Sequence, residues 1–404
     1  MRATSCWKGV TSLLFRKEVA LLGALVVGPA TAAPFSDAWQ ADVRLLERVF
    51  YDDNLRFESR DEIARWGQVF RPQLSLLRES GRVRHRVDGA LEFERYRNAS
   101  ALNSDNQFID LSSLFRRERS EWQLDTGYHR TSTRDTELED SGNLGVAERV
   151  ENWYARPSAR FQLSELRALN VGYSYRTTDY HSGAFTDFRE HDFNVGHSWQ
   201  AGPRLVLTSG LGYQHYDAIG RDSEADTYNL NLGLRRDVSR RLRVALNAGV
   251  YHTRSETAFR SPFGDLSTDD ETTGFGFSSS LTWLTELTTA ALTLDRGISP
   301  SSQGTVEERD LIRLAITRRV SERMSLKLDV DGSRNNSVSA DVGNDQRVYL
   351  SFSPGLLWQF TRDLSLDVSY QFRRQDGDNF DGVVEGNIVS FALTYEIPDA
   401  GRFK

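Results

Sequence analysis

One repeating unit constrains this chain more than any other feature. A long stretch alternates apolar with polar residues, a very short polar turn follows, a second alternating stretch returns, and a longer acidic loop leads onward. Val83–Tyr96 shows the alternation. Val83, His85, Val87, Gly89, Leu91 and Phe93 fall on one face; Arg84, Arg86, Asp88, Ala90, Glu92 and Glu94 fall on the other. Successive side chains of a strand point to opposite faces, so this segment has one largely apolar wall and one charged wall. In a sandwich the apolar wall needs a second sheet. With so many such strands and no helical pattern between them, a closed barrel in a bilayer is the better solution.

The expected fold is therefore all-β: a single transmembrane, antiparallel, up-and-down β-barrel of about eighteen strands, with sixteen as the alternative. The first strand is placed at Val43–Phe57, where Leu46 and Phe50 break the alternation, and the last at Asn387–Ile397. Connections alternate in length. Glu79–Arg82, Ala201–Arg204, Ser239–Arg241 and Thr361–Asp363 are short; Asp135–Arg149, Glu256–Glu271, Arg296–Thr305 and Asn335–Asp345 are long. Short periplasmic turns and long external loops are the pattern of an outer-membrane barrel with both ends in the periplasm. Trp122, Trp199, Trp283 and Trp358 stand near short turns, while Trp66, Trp153, Tyr180 and Tyr216 stand toward long loops, which predicts two interfacial girdles. Glu256–Glu271, the longest loop, is the expected inward-folding constriction. Nothing marks a separate domain or plug.

Residues 1–32 read as a secretory signal: Arg2, Lys8, Arg16 and Lys17, then an apolar Val19–Val27, then Ala30-Thr31-Ala32 before the cut. The expected division is that leader, a short periplasmic segment at 33–41, the barrel at 42–397 and a tail at 398–404. Cys6 is the only cysteine and lies in the leader, so disulfides and thiol metal sites are excluded from the remainder. The net charge of −7, about −10 without the leader, argues against a nucleic-acid partner. A mean hydropathy of −0.51 excludes a helical membrane protein and suits a barrel with a polar lumen. Only Lys8, Lys17, Lys327 and Lys404 are lysines among 50 basic residues. The arginines suit either a lumen that grips anions bidentately or Arg–carboxylate ladders that hold the wall.

No motif carries catalysis. The histidines have no metal spacing, and His181 beside Ser182 and Asp179 is one weak rim cluster of the kind a hydrolase needs. Asp376–Gly382 resembles a calcium loop, but Phe380 and Asp381 break the ligand order. Glu137–Asp140 and Asp269–Glu271 read as exposed acidic rims. No cofactor, metal or catalytic residue is expected. The charged wall is the functional candidate, and its expected lumen-lining residues are Arg71, Arg84, Arg86, Asp88, Glu92, Glu94, Asp125, Arg235, Arg243, Asp329, Asp367 and Arg373. Expected partners are outer-membrane lipid, lipopolysaccharide and the barrel-assembly machinery. Val389, Phe391, Leu393, Tyr395 and Ile397 resemble the C-terminal signal that machinery reads, although the chain does not end on an aromatic residue.

Phe50-Tyr51-Asp52-Asp53-Asn54-Leu55, followed by Phe70-Arg71-Pro72-Gln73-Leu74, resembles the outer-membrane barrels encoded with exopolysaccharide and exosortase (PEP-CTERM) gene clusters. That resemblance implies a barrel to the end of the chain and a role in moving or anchoring secreted polysaccharide, with periplasmic export components as partners. It implies no catalytic residue. A nutrient porin, general or sugar-selective, and a closed structural or adhesive barrel are the alternatives.

Overall fold

The computed structural model describes residues 39–402 apart from 139–146, 182, 221–222, 262–263, 338–345 and 378–381. The expected leader lies outside the described residues. Eighteen strands form one antiparallel sheet that closes on itself. Each strand pairs with the next in sequence, and β1 (Trp39–Asp52) pairs with β18 (Val384–Arg402) from Gln40↔Arg402 to Asp52↔Ile388. Closure leaves no sheet edge, which a bilayer interior requires of a strand protein.

The two faces differ as the alternation predicts. Leu91 of β3 (Val83–Tyr96), Leu124 of β5 (Ser120–Ser132), Leu211 of β9 (Leu205–Ala218) and Leu232 of β10 (Ser223–Asp237) are exposed on the outside. Trp122, Trp199, Trp283 and Trp358 ring the short-turn end of that face, and Trp66 and Trp153 the long-loop end; all six are exposed. Trp122 meets Phe161 edge-on at 5.4 Å, and Trp153 leans on Tyr128 at 4.4 Å. Tyr180 and Tyr216 are a correction. They are 8% and 1% exposed and belong to an apolar cluster inside the ring, because their register puts them on the inner face.

The short turns are tied by hydroxyls. Ser239 Oγ accepts from the Arg241 and Leu242 amides at 3.1 Å, and Thr361 Oγ1 accepts from the Asp363 and Leu364 amides at 3.2 and 3.0 Å. Boundaries shift at both ends of the chain. The first strand starts at Trp39 and stops at Asp52, so 53–57 is loop, and the last strand runs through Arg402 across the expected tail. Phe50, which broke the alternation, faces inward at 5% exposure and lies over Gly67 of β2 (Arg65–Ser80).

A second correction concerns Glu256–Glu271. It is not an inward loop. β11 (Leu242–Ser261) and β12 (Gly264–Leu284) continue their ladder through Glu256↔Asp269 to Ser261↔Gly264 as one long hairpin.

Candidate functional site

The long-loop end of the ring is filled from within. After β5 the chain makes a single helical turn, α1 (Thr133–Thr136), whose first amides are capped by Ser132, with Arg134 N donating to Ser132 Oγ at 3.3 Å. Glu137 follows and is fully buried. Its Oε1 accepts from Tyr180 Oη of β7 (Arg167–Tyr180) at 3.1 Å, and its Oε2 accepts from Ser302 Oγ at 2.7 Å. Arg347 of β16 (Gln346–Gln359) donates to the Leu138 carbonyl, and Arg134 donates to the Leu55 carbonyl at 2.7 Å while lying over the Tyr96 ring. One short segment thus touches four sectors of the ring. Glu137 was expected on an exposed acidic rim; the structure makes it the centre of a buried network.

The hairpin of β13 (Thr288–Pro300) and β14 (Val306–Arg319) bends in to meet it. Val306 packs with Val150, Tyr180, Phe188 and Tyr216, inner-face residues from the opposite part of the ring. Tyr216 Oη donates to the Ser301 carbonyl at 3.3 Å, and the Thr186 amide donates to the Ser302 carbonyl at 2.8 Å. A second cluster of Phe50, Leu55, Val69, Tyr96 and Leu102 lies under the first loops. Among the described residues the mouth is filled by the barrel's own loops, with apolar cores where an open mouth would hold water.

The Tyr51–Leu55 motif has a structural role here. Arg373 of β17 (Leu364–Gly377) reaches both Asp52 carboxylate oxygens at 3.0 Å. Asp53 accepts from the Asn387 amide and side chain at 2.6 and 2.7 Å. Asn54, fully buried, donates to the Glu58 and Glu385 carbonyls at 2.8 and 2.9 Å. Together these bonds turn the chain from β1 into the lumen across the closing seam.

Every one of the twelve candidate residues lies on the inner face by register, but few converge. Arg71 pairs with Glu92 at 3.2 Å, Glu92 also accepts from Asn106 at 3.0 Å, and Glu94 accepts from Ser104 at 3.3 Å. Asn106 also donates to Asp135 at 3.1 Å, joining this acidic group to α1. Asp135 is exposed to the lumen, but the partial desolvation of the crowded mouth, with the charges of Glu94 and Glu92 beside it, pushes its carboxyl up to about 6. The others form separate pairs: Arg84–Glu79 at 2.6 Å, Arg243–Asp237 at 2.8 Å and Lys327–Asp367 at 2.5 Å between strands, and Arg86–Asp88 at 2.6 Å and Gln123–Asp125 at 2.7 Å along one strand. Arg235 and Asp329 stand opposite Ala245 and Ala315. Exposed rungs of this kind contribute about 0–1 kcal/mol each. Ladders along the wall, rather than a bidentate anion clamp, describe most of these residues.

Of the rim cluster, His181 lies 3.7 Å from Glu151, and Ser182 is outside the described residues. Most of the calcium-like loop, 378–381, is outside them too. Sequence reasoning missed Arg134, Asp135 and Glu137. A signal was present: Ser132-Thr133-Arg134-Asp135 has the spacing of a helix capping box, which marks a folded element inside a presumed loop.

No family model and no curated protein matches the chain. Among solved structures it is similar to a BenF-like porin from Pseudomonas fluorescens Pf-5, at 11% identity and a TM-score of 0.47, over 90% of this chain and 100% of that one. It is similar to Pseudomonas aeruginosa OccK1 (OpdK) at 13% and 0.46, over 90% and 100%. It is also similar to the siderophore receptor PirA from Pseudomonas aeruginosa at 10% and 0.43, over 90% and 82%. These likenesses are of barrel to barrel.

Proposed function

We propose that this chain is an outer-membrane channel that passes small hydrophilic solutes through a lumen narrowed at its external end. The observation that carries the proposal is the ring itself: an apolar outside bounded by two aromatic girdles, an inside of ion pairs and amides, and a loop folded into the mouth. An apolar belt between aromatic girdles fits a bilayer, and a charged inner wall holds water. Short turns at the end where both termini lie support a periplasmic position for them.

Polysaccharide export draws no support from the mouth. A polymer needs a continuous wide passage, whereas two apolar clusters, one with Leu55 and Tyr96 and the other with Val150 and Tyr216, stand inside it. Small solutes fit the narrowed lumen better. The same buried clusters favour a second reading, a closed barrel that serves as a wall or anchor. Liposome swelling separates the two. Proteoliposomes of the purified chain swell in small sugars and amino acids and stay shrunken in large dextrans if it is a channel. Absence of swelling in every solute, with the barrel inserted, supports the closed form and overturns the channel.

A further inference from the structure

The seam between β12 and β13 parts partway up the wall. β12 pairs with β11 along its whole length, yet with β13 only from Leu284↔Thr289 to Phe277↔Arg296. Above that pair, Gly264–Gly276 have no partner on the β13 side, while β13 continues with β14 to Pro300↔Val306. At no other seam among the described residues is the unpaired stretch as long. The cause is visible in the mouth: the β13–β14 hairpin leaves the wall to reach Tyr180 and Tyr216, and β12 stays with β11.

The parting lies within the height of the apolar belt: along β12, Phe277 stands six residues from Trp283 of the short-turn girdle, about 15 Å of height for a tilted strand, in a belt about 25 Å tall. Tyr213, Tyr228, His252 and Thr273 pair in one row across the outer face. Phe275 and Phe277 follow Thr273 toward the short turns, and the seam opens at Phe277. Exposed Phe275, Val250 and Ile312 flank it, so its mouth is in the apolar belt. Unpaired backbone is tolerated at that depth only where it lines a cavity.

A cavity of about 300 Å³ is there, at the small end of the range for small-molecule sites. Both parted strands line it, through Phe277 of β12 and Gly297 and Ile298 of β13, and so do the lumenal amides of Asn229, Asn231 and Asn247. Gly297 leaves open space where a side chain would stand. Arg296 at the parting is neutralised by Glu308 and by Asp310 at 3.3 Å, and Tyr251 Oη donates to Glu308 at 2.6 Å. One end of the cavity is thus apolar and the other offers amides and the Asp295 carboxylate, acceptors and donors for hydroxyls, with no uncompensated cation to hold an anion.

We infer that the parted seam is a lateral port, through which a small amphiphile with an uncharged, hydroxyl-rich head passes between the outer leaflet and the lumen. The head exchanges hydrogen bonds with Asn229, Asn231 and Asn247, and the tail lies along Phe277 and Ile298. This rests on the outer-membrane reading above.

The test uses the full barrel in lipid nanodiscs and an alkyl glucoside carrying a diazirine on the chain carbon next to its sugar. After illumination, labelled residues are mapped by mass spectrometry. The port predicts adducts on lumenal residues around Asn247 as well as on the outer belt around Trp153. A Gly276→Cys/Gly297→Cys pair closes the seam when oxidised; the only native cysteine, Cys6, precedes the strands. Oxidation lowers lumenal labelling several-fold, leaves the outer belt unchanged, and is reversed by reductant. Gly297→Phe, which fills the open space, gives the same loss without a disulfide. Belt labelling with no lumenal adducts overturns the port alone, as does lumenal labelling that survives both closures. Failure of belt labelling as well overturns the outer-membrane reading.

Discussion

Gly67 lacks a side chain where Phe50 already stands. A Cβ there would overlap the Phe50 ring, which packing does not tolerate. Gly67→Ala therefore costs about 1–3 kcal/mol by overpacking. Its check is the temperature at which the purified barrel loses its fast, folded mobility on a gel: the variant unfolds at a lower temperature, and adding Phe50→Leu restores part of the loss. Asp135 makes a second residue-scale prediction. Its carboxyl is raised from 3.8 to about 6 in the folded mouth, so the proton favours the packed loop. The stabilisation is complete below the unfolded value and is lost as pH rises through about 6. Protease cleavage of the α1 segment accordingly quickens as pH rises through that window, and Asp135→Asn flattens the profile. An unchanged profile in Asp135→Asn would assign the effect to another group.

At the scale of elements, the strands were legible and the loops were not, for one physical reason. A strand writes its exposure every second residue, so β3 and the last strand can be read from their own sequences. Phe50 looked like an error in β1 because the lumen it faces is filled by loops. The fold of a loop is written in distant residues. Glu137 is held by Ser302, 165 positions away, and no local pattern announces that bond. Loop length misled for the same reason: Glu256–Glu271 had the most residues but spends them on a hairpin. Truncating that hairpin beyond Glu256↔Asp269 is predicted to leave conductance unchanged, since its ladder faces only its own two strands. Of the candidate site, the facing of the twelve charged residues could be read from the sequence. Pairing across strands, as in Arg84–Glu79, Arg243–Asp237 and Lys327–Asp367, could not, because it depends on register between strands.

At the scale of the whole molecule, closure and occlusion come from the same seam. Asp52, Asp53 and Asn54 bind β17 and β18 as they turn the chain inward, so joining the first strand to the last also positions the first loop. The loop after β5 then locks onto that one through Arg134, and the β13–β14 hairpin locks onto Glu137. Removing one partner from this buried network costs about 1–3 kcal/mol per polar group left unpaired. Single-channel conductance in planar bilayers tests the central claim most directly, with the intact barrel compared against Glu137→Ala and against excision of residues 133–147. The account predicts a small conductance for the intact barrel, brief larger openings for Glu137→Ala, and a steadily larger conductance after excision. An excised barrel that folds and inserts with the conductance of the intact one would contradict it.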